Sequence, residues 1–223
     1  MRNTHCKKGL TLLEMLTVLA IIALLVGIIV PVVVQARKYS QRTVCASNLR
    51  QIHLAWSLYL SDHRVAPTEP SGWPPHLGAL ESYIKDRRVL ICPLDPNPTI
   101  GIFPDVVPTS YYLNRRGFGK QMLEVDPNPG IVACMLHGQC KFYFHTNPTE
   151  RPRPICKGTL LRVRLDGSLK VARYFVACFY DGEGRLIGAG NIYWYLLTDA
   201  PEPQGDFSYG WVECRPEDDP FNR

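Results

Sequence analysis

Residues 10–34 read LTLLEMLTVLAIIALLVGIIVPVVV, and this stretch decides the class of the chain. It holds 25 residues and a single charge, Glu14. At 1.5 Å rise per residue a helix of this length is roughly 37 Å long, enough to cross a ~30 Å hydrocarbon core. A cleaved secretory signal fits poorly, because its apolar region runs about 7–15 residues and ends at a small-x-small site. Val33-Val34-Gln35-Ala36-Arg37 is not such a site. A plain anchor fits the length but does not account for Glu14. A bare carboxylate in a membrane helix costs roughly 2.5–3.5 kcal/mol on insertion scales. It must either hydrate at the interface or find a cationic partner. Pro31 lacks a backbone donor and crowds the carbonyl of Gly27, which predicts a kink or loosening between these residues.

Residues 1–9, MRNTHCKKG, are short, polar and basic at Arg2, Lys7 and Lys8. A cut after Gly9 would give Leu10 a new amine and make Glu14 the fifth residue of the shortened chain. A neighbouring subunit's amine would then neutralise the carboxylate in low dielectric.

The stretch KKGLTLLEMLTVLAIIALLVGIIVP resembles the signal of type IV pilins and type II secretion pseudopilins. The resemblance implies cleavage after Gly9 by a prepilin peptidase and N-methylation of the residue that follows. That residue is usually Phe; here it is Leu10. It further implies that Lys7 and Lys8 stay cytoplasmic, that Glu14 is the assembly carboxylate, and that the stretch around Pro31 unwinds when subunits pack. Arg37 and Lys38, just beyond the apolar run, oppose a simple positive-inside orientation, but the family orientation places the short leader inside.

Outward from this segment, residues 35–63 continue with helical periodicity. Cys45, Leu49, Ile52, Trp56 and Tyr59 step by four, three, four and three, one face of a helix, with no Pro or Gly from 32 to 63. Composition then shifts. Nine of the 19 prolines lie between Pro67 and Pro108, so that region reads as loops. Leu77–Ile84 is a short helix candidate. Val89–Cys92, Ser110–Leu113, Ile131–Leu136, Lys141–Phe144 and Asn191–Leu197 read as strands. Thr159–Leu165 and Ser168–Phe179 flank Asp166-Gly167, the strongest local hairpin signal. The tail from Ala200 is polar and Pro-rich. CASNLRQIHLAWSLYLSD, CPLDP (92–96), SYYLN (110–114), His137-Gly138 and LDGSLKV also resemble segments of pilin-like proteins from environmental bacteria.

The chain has 223 residues, 46% hydrophobic and 20% charged, which excludes a disordered chain. Its net charge of +5 is too small and scattered to indicate nucleic acid, and none is predicted as a partner. Of eight cysteines, Cys6 would leave with the leader, and the other seven are expected mainly as disulfides in an exported domain. Spacing does not fix connectivity; Cys45 with Cys92 is the first candidate pair. The run Cys134-x-x-His137-x-x-Cys140-x-x-x-x-His145 carries zinc-type ligands, but it reads as strand and turn, where alternate side chains face opposite ways. No metal site or cofactor is therefore expected. Asp181 and Glu183 are too few oxygens for calcium and read as a solvated turn. No nucleophile elbow, P-loop or dinucleotide fingerprint occurs, so no catalytic residues and no enzyme are expected.

These readings give an α+β, pilin-like fold, with a long N-terminal α-helix packed on a C-terminal antiparallel β-sheet with long loops. Residues 1–9 are the leader, 10–34 the transmembrane and assembly helix, 35–63 its ectodomain half, and 64–223 the β-rich domain. The implied function is a filament subunit, either type IV pilus-like or pseudopilus. Its partners would be the prepilin peptidase, further copies, other pilin-like subunits and the inner membrane. Before assembly it would be a single-pass inner-membrane protein with a periplasmic ectodomain, and afterwards part of a periplasmic or surface filament. The alternative is a membrane-anchored envelope protein that binds a ligand such as polysaccharide through Trp73, Tyr111, Tyr112, Trp194 and Trp211.

Overall fold

The computed structural model describes residues 12–103, 105–143, 151, 153–201 and 212–222. Helix α1 runs Leu12–Asp62, 51 residues, with Pro31 inside it. The missing N–H of Pro31 removes one hydrogen bond, and the helix continues on both sides of it. The chain divides into two units, Met1–Gln41 and Arg42–Arg223. In the first, every described residue from Leu12 to Ser40 is exposed.

In the second unit, α1 contributes the stripe its spacing predicts. Cys45, Leu49, Ile52, Trp56 and Leu60 are buried in the core, and Tyr59 packs against it half-buried. Each such side chain contributes roughly 1.5–3 kcal/mol by leaving water. Trp56 meets Trp73 edge-on, with ring centroids 5.5 Å apart. The helix ends in a Schellman motif: Val65 N–H donates to Leu60 C=O at 2.9 Å, and Arg64 N–H to Ser61 C=O at 3.1 Å. Arg64 sits in the left-handed region, φ 54°, where glycine is the usual occupant.

The proline-rich stretch forms three short 3₁₀ turns, Pro70–Gly72, Leu77–Tyr83 and Arg87–Leu90. The expected strand at Val89–Cys92 is thus a turn for its first half. The Asp86 side chain accepts from Arg88 N–H at 2.9 Å, and this local bond overrides the strand preference of Val89.

A five-stranded antiparallel sheet follows. It holds β1 (Tyr112–Leu113), β2 (Gly130–Cys134), β3 (Gln139–Tyr143), β4 (Arg153–Arg164) and β5 (Leu169–Tyr174). β4 is the hub: β2 pairs with residues 161–164, β3 with 153–157 and β5 with 158–163. The β4–β5 hairpin turns at Asp166-Gly167 as predicted, with Gly167 at φ 81°. A second sheet orders β7 (Leu186–Gly190), β6 (Ala177–Tyr180) and β8 (Val212–Glu213). Helix α2 (Arg116–Val125) lies between β1 and β2, and α3 (Trp194–Leu197) follows β7.

The long helix with antiparallel sheets is the α+β, pilin-like arrangement expected. Other elements also differ from the sequence reading. Ser168–Phe179 is not one strand: it breaks after Tyr174 into β5 and β6, which belong to different sheets. Asn191–Leu197 is not a strand. Asn191 accepts from Cys156 N–H at 2.7 Å and donates to the Cys156 and Phe175 carbonyls, and α3 then buries Trp194, Leu196 and Leu197. Helix α2 was not foreseen, because RGFGKQMLEV opens with two glycines that read as a turn.

Candidate functional site

Glu14 lies in the first described turn of α1. The Thr17 hydroxyl donates to the Glu14 backbone carbonyl at 2.9 Å. From Leu12 to Val34 the flanking side chains are apolar and exposed. The segment is long and apolar enough to cross a membrane, and none of that window is buried. Gly9 and Leu10, the expected processing residues, lie outside the described residues.

The cysteines part from expectation. Cys140 and Cys156 are bridged, directly opposite each other in the β3–β4 ladder. Cys178 of β6 is bridged to Cys214, just after β8. Cys45 and Cys92, the expected pair, are free thiols, as is Cys134. The reason is geometric. The ligand atoms of Cys45, Cys92, Cys134 and His137 all lie within 4.8 Å of one another, a convergence of four donors rather than of two half-cystines.

The sheet explains how Cys134 and His137 meet. Between Cys134, opposite Leu161, and Gln139, opposite Lys157, four residues stand against three on β4. The extra residue breaks the alternation that would send residues 134 and 137 to opposite faces. Gly138 closes this turn against β4, where a Cβ would lie 2.3 Å from the Lys157 carbonyl oxygen. Cys45 comes from α1, and Cys92 from the loop after the third 3₁₀ turn.

The three thiols are buried and face one another. Bonds from Cys134 and Cys45 draw the Cys92 thiol well below its ordinary pKa against the cost of burial. His137 and the backbone N–H of Leu94 add to that effect, and His137 Nε2 lies 3.6 Å from Cys92 Sγ. Burial first, then its two thiol neighbours, pushes Cys134 up. For Cys45 the bond with Cys134 lowers the pKa, but Cys92 and burial outweigh it and raise the net value. Of the three thiols, Cys92 is the one whose pKa is lowered, and it faces the imidazole.

A polar network backs the cluster. Ser110 Oγ accepts from Cys92 N–H at 2.8 Å and donates to Asp95 at 2.6 Å. The segments CPLDP and SYYLN are therefore in contact. Asn48 donates to the hydroxyl of Tyr111, a neighbour of Cys45, at 3.2 Å.

Other sequence candidates are structural. Asp181 accepts from the N–H groups of Glu183 and Arg185, and the Arg185 guanidinium pairs with both carboxylates, which closes the acidic turn on itself. Trp73, Tyr111 and Trp194 are buried and Tyr112 half-buried, so they form no exposed aromatic platform; Trp211 lies outside the described residues. Cys140 leaves the predicted zinc-type run for its disulfide, and His145 lies outside the described residues.

The fold and its N-terminal segment define an exported-type α+β protein with an apolar helix suited to anchoring in a membrane. Residues 4–30 match the family model of the prokaryotic N-terminal methylation motif, so the chain carries a prepilin-type signal of the kind found in pilins and pseudopilins. No curated protein and no solved structure matches the chain.

Proposed function

We propose that the protein is a structural subunit of a type IV pilus-like or pseudopilus filament. In this reading the prepilin peptidase cuts after Gly9, and the subunit assembles through residues 10–34. The ectodomain is periplasmic before assembly. The observation that carries this reading is the apolar, exposed stretch Leu12–Val34 with one carboxylate, Glu14, inside a prepilin-type signal. Such a surface must be covered by lipid or by other helices. Within a bundle of like helices, Glu14 would pair with the amine of a neighbouring Leu10 and fix the axial register. No catalytic role is assigned to the chain.

The test is Glu14→Ala. Losing the charge eases insertion, so the variant should reach the membrane and be cleaved, yet give few filaments. Abundant normal filaments would contradict the pairing. Gly9→Val is the companion, since a peptidase that requires a residue without a side chain should leave this precursor uncut. Mass spectrometry finding the same mature N-terminus in that variant would show that the cut does not require Gly9.

A further inference from the structure

We propose that Cys45, Cys92, Cys134 and His137 form a closed, structural zinc site that pins helix α1 and the Cys92 loop to the break between β2 and β3. This goes beyond the filament reading and does not depend on it.

The donor set is the first argument. Three sulfurs and one imidazole nitrogen lie within 4.8 Å of one another, drawn from segments far apart in sequence. Tetrahedral zinc has Zn–S near ~2.3 Å and Zn–N near ~2.0–2.1 Å, which sets an S···N edge of about 3.6 Å. Cys92 Sγ and His137 Nε2 are 3.6 Å apart.

The second argument is what a disulfide would leave behind. A bridge between any two of these cysteines would strand the third thiol and the imidazole beside it. The chain does bridge four other cysteines, each pair joined across or beside neighbouring strands. Three thiols left unbridged at this separation have a common use, since soft thiolates with one imidazole select zinc among available divalent ions.

The third argument is the surrounding shell. Metal-bound thiolates carry charge that must be met by donors. Ser110 Oγ fixes the Cys92 backbone N–H at 2.8 Å, and the Tyr111 hydroxyl is a polar neighbour of Cys45. Asn48 holds that hydroxyl from the next turn of α1. Cys45 and Cys134 are 0% exposed and Cys92 1%, and four protein donors fill a tetrahedron. The site is therefore closed, with no position for substrate, and the metal's role is to join the elements. On binding, the thiol protons pass to solvent and the bonds formed are Zn–S and Zn–N, with no change of oxidation state.

The test uses the full chain, purified in detergent without chelator from cells supplied with zinc. Elemental analysis should give one zinc per chain. Replacement of zinc by cobalt should give the intense visible bands of a tetrahedral thiolate-ligated ion. Cys92→Ser and His137→Leu should each lower retained zinc at least ~10-fold, as loss of a ligand or its support does in metal sites. His137→Cys supplies a fourth thiolate and should keep the metal with a shifted cobalt spectrum. The double variant Cys140→Ser/Cys156→Ser should keep it unchanged. If the ligand variants fail to fold, zinc stoichiometry and the cobalt spectrum of the unaltered chain still decide. The proposal is overturned by a metal-free chain that takes up neither ion. It is equally overturned by a peptide map with two of the three cysteines bridged, by a different metal in the site, or by folded ligand variants that retain full zinc.

Discussion

Asn48, on the buried face of α1, donates its side-chain amide both to the Tyr111 hydroxyl at 3.2 Å and to the Ile91 carbonyl at 3.1 Å. One residue thus ties the helix to two segments that follow it by more than 40 positions. Tyr111 is 1% exposed, so its hydroxyl has no water to fall back on. Asn48→Ala should destabilise the second unit by about 1–3 kcal/mol, the cost of leaving buried polar groups unpaired. Tyr111→Phe should cost less, because it removes the stranded group along with the bond. Urea unfolding of both single variants and the double variant checks this. Additive effects would show that the two side chains are not coupled.

The first turn after α1 offers a change of opposite sign. Arg64 occupies the left-handed region at φ 54°, and its N–H completes the Schellman cap. Glycine reaches that conformation without a Cβ clash. Arg64→Gly should therefore raise stability by roughly 0.5–1 kcal/mol, net of the entropy that glycine adds to the unfolded chain. A lower denaturation midpoint would show that the Arg64 side chain contributes more than its backbone strain costs.

The hairpin turn between β4 and β5 should impose an acid limit. Hydrogen bonds from the Ser168 side chain and backbone N–H, then from Asn128, hold the Asp166 carboxyl down to about 2, from an ordinary 3.8. A carboxylate depressed in the folded state adds stability above its unfolded pKa and loses it as pH falls through the folded one. The effect is therefore complete above about pH 4 and disappears towards pH 2. Asp166→Asn should flatten the pH dependence of stability between these limits and leave it unaltered near pH 7, apart from a constant offset. An unchanged acid slope would assign it to other carboxylates.

The helix, its buried stripe and the Asp-Gly hairpin were legible because each is written in contiguous residues. Cys45, Leu49, Ile52 and Trp56 share a face at helical spacing, and Val163, Leu165, Leu169 and Val171 bracket the turn. The donor cluster was only half legible. Cys134 and His137 stood out as zinc-type ligands, but strand alternation argued that they face apart. The single extra residue between β2 and β3 reverses that argument, and no local propensity announces it. Cys45 and Cys92 are read from the sequence as a disulfide pair, whereas both are free thiols that converge with Cys134 and His137. The turn at Arg87–Leu90 was missed because the Asp86 cap overrides the strand preference of Val89, and helix α2 because it forms despite the glycines at 117 and 119.

A chain starting at Gln35 should be soluble and fold without the apolar segment. Residues 42–223 already form a unit of their own, and one core joins the α1 stripe, the loops and the sheet. The apolar excess that would drive aggregation lies before Gln35. Such a chain, produced in an oxidising compartment, should be monomeric and melt cooperatively. The Cys178–Cys214 bridge closes a 36-residue span and ties β6 to the chain just after β8 in the small second sheet. In the chain-entropy account a loop of that size is worth about 3–4 kcal/mol. For a domain of this size that corresponds to roughly 6–16 °C in Tm. Cys178→Ala/Cys214→Ala should lower the midpoint by that order, and reductant should lower that of the unaltered chain at least as far. Aggregation under oxidising conditions would show that the helix and sheets do not form one domain. A midpoint indifferent to both treatments would show that the bridge closes a loop the fold already holds in place.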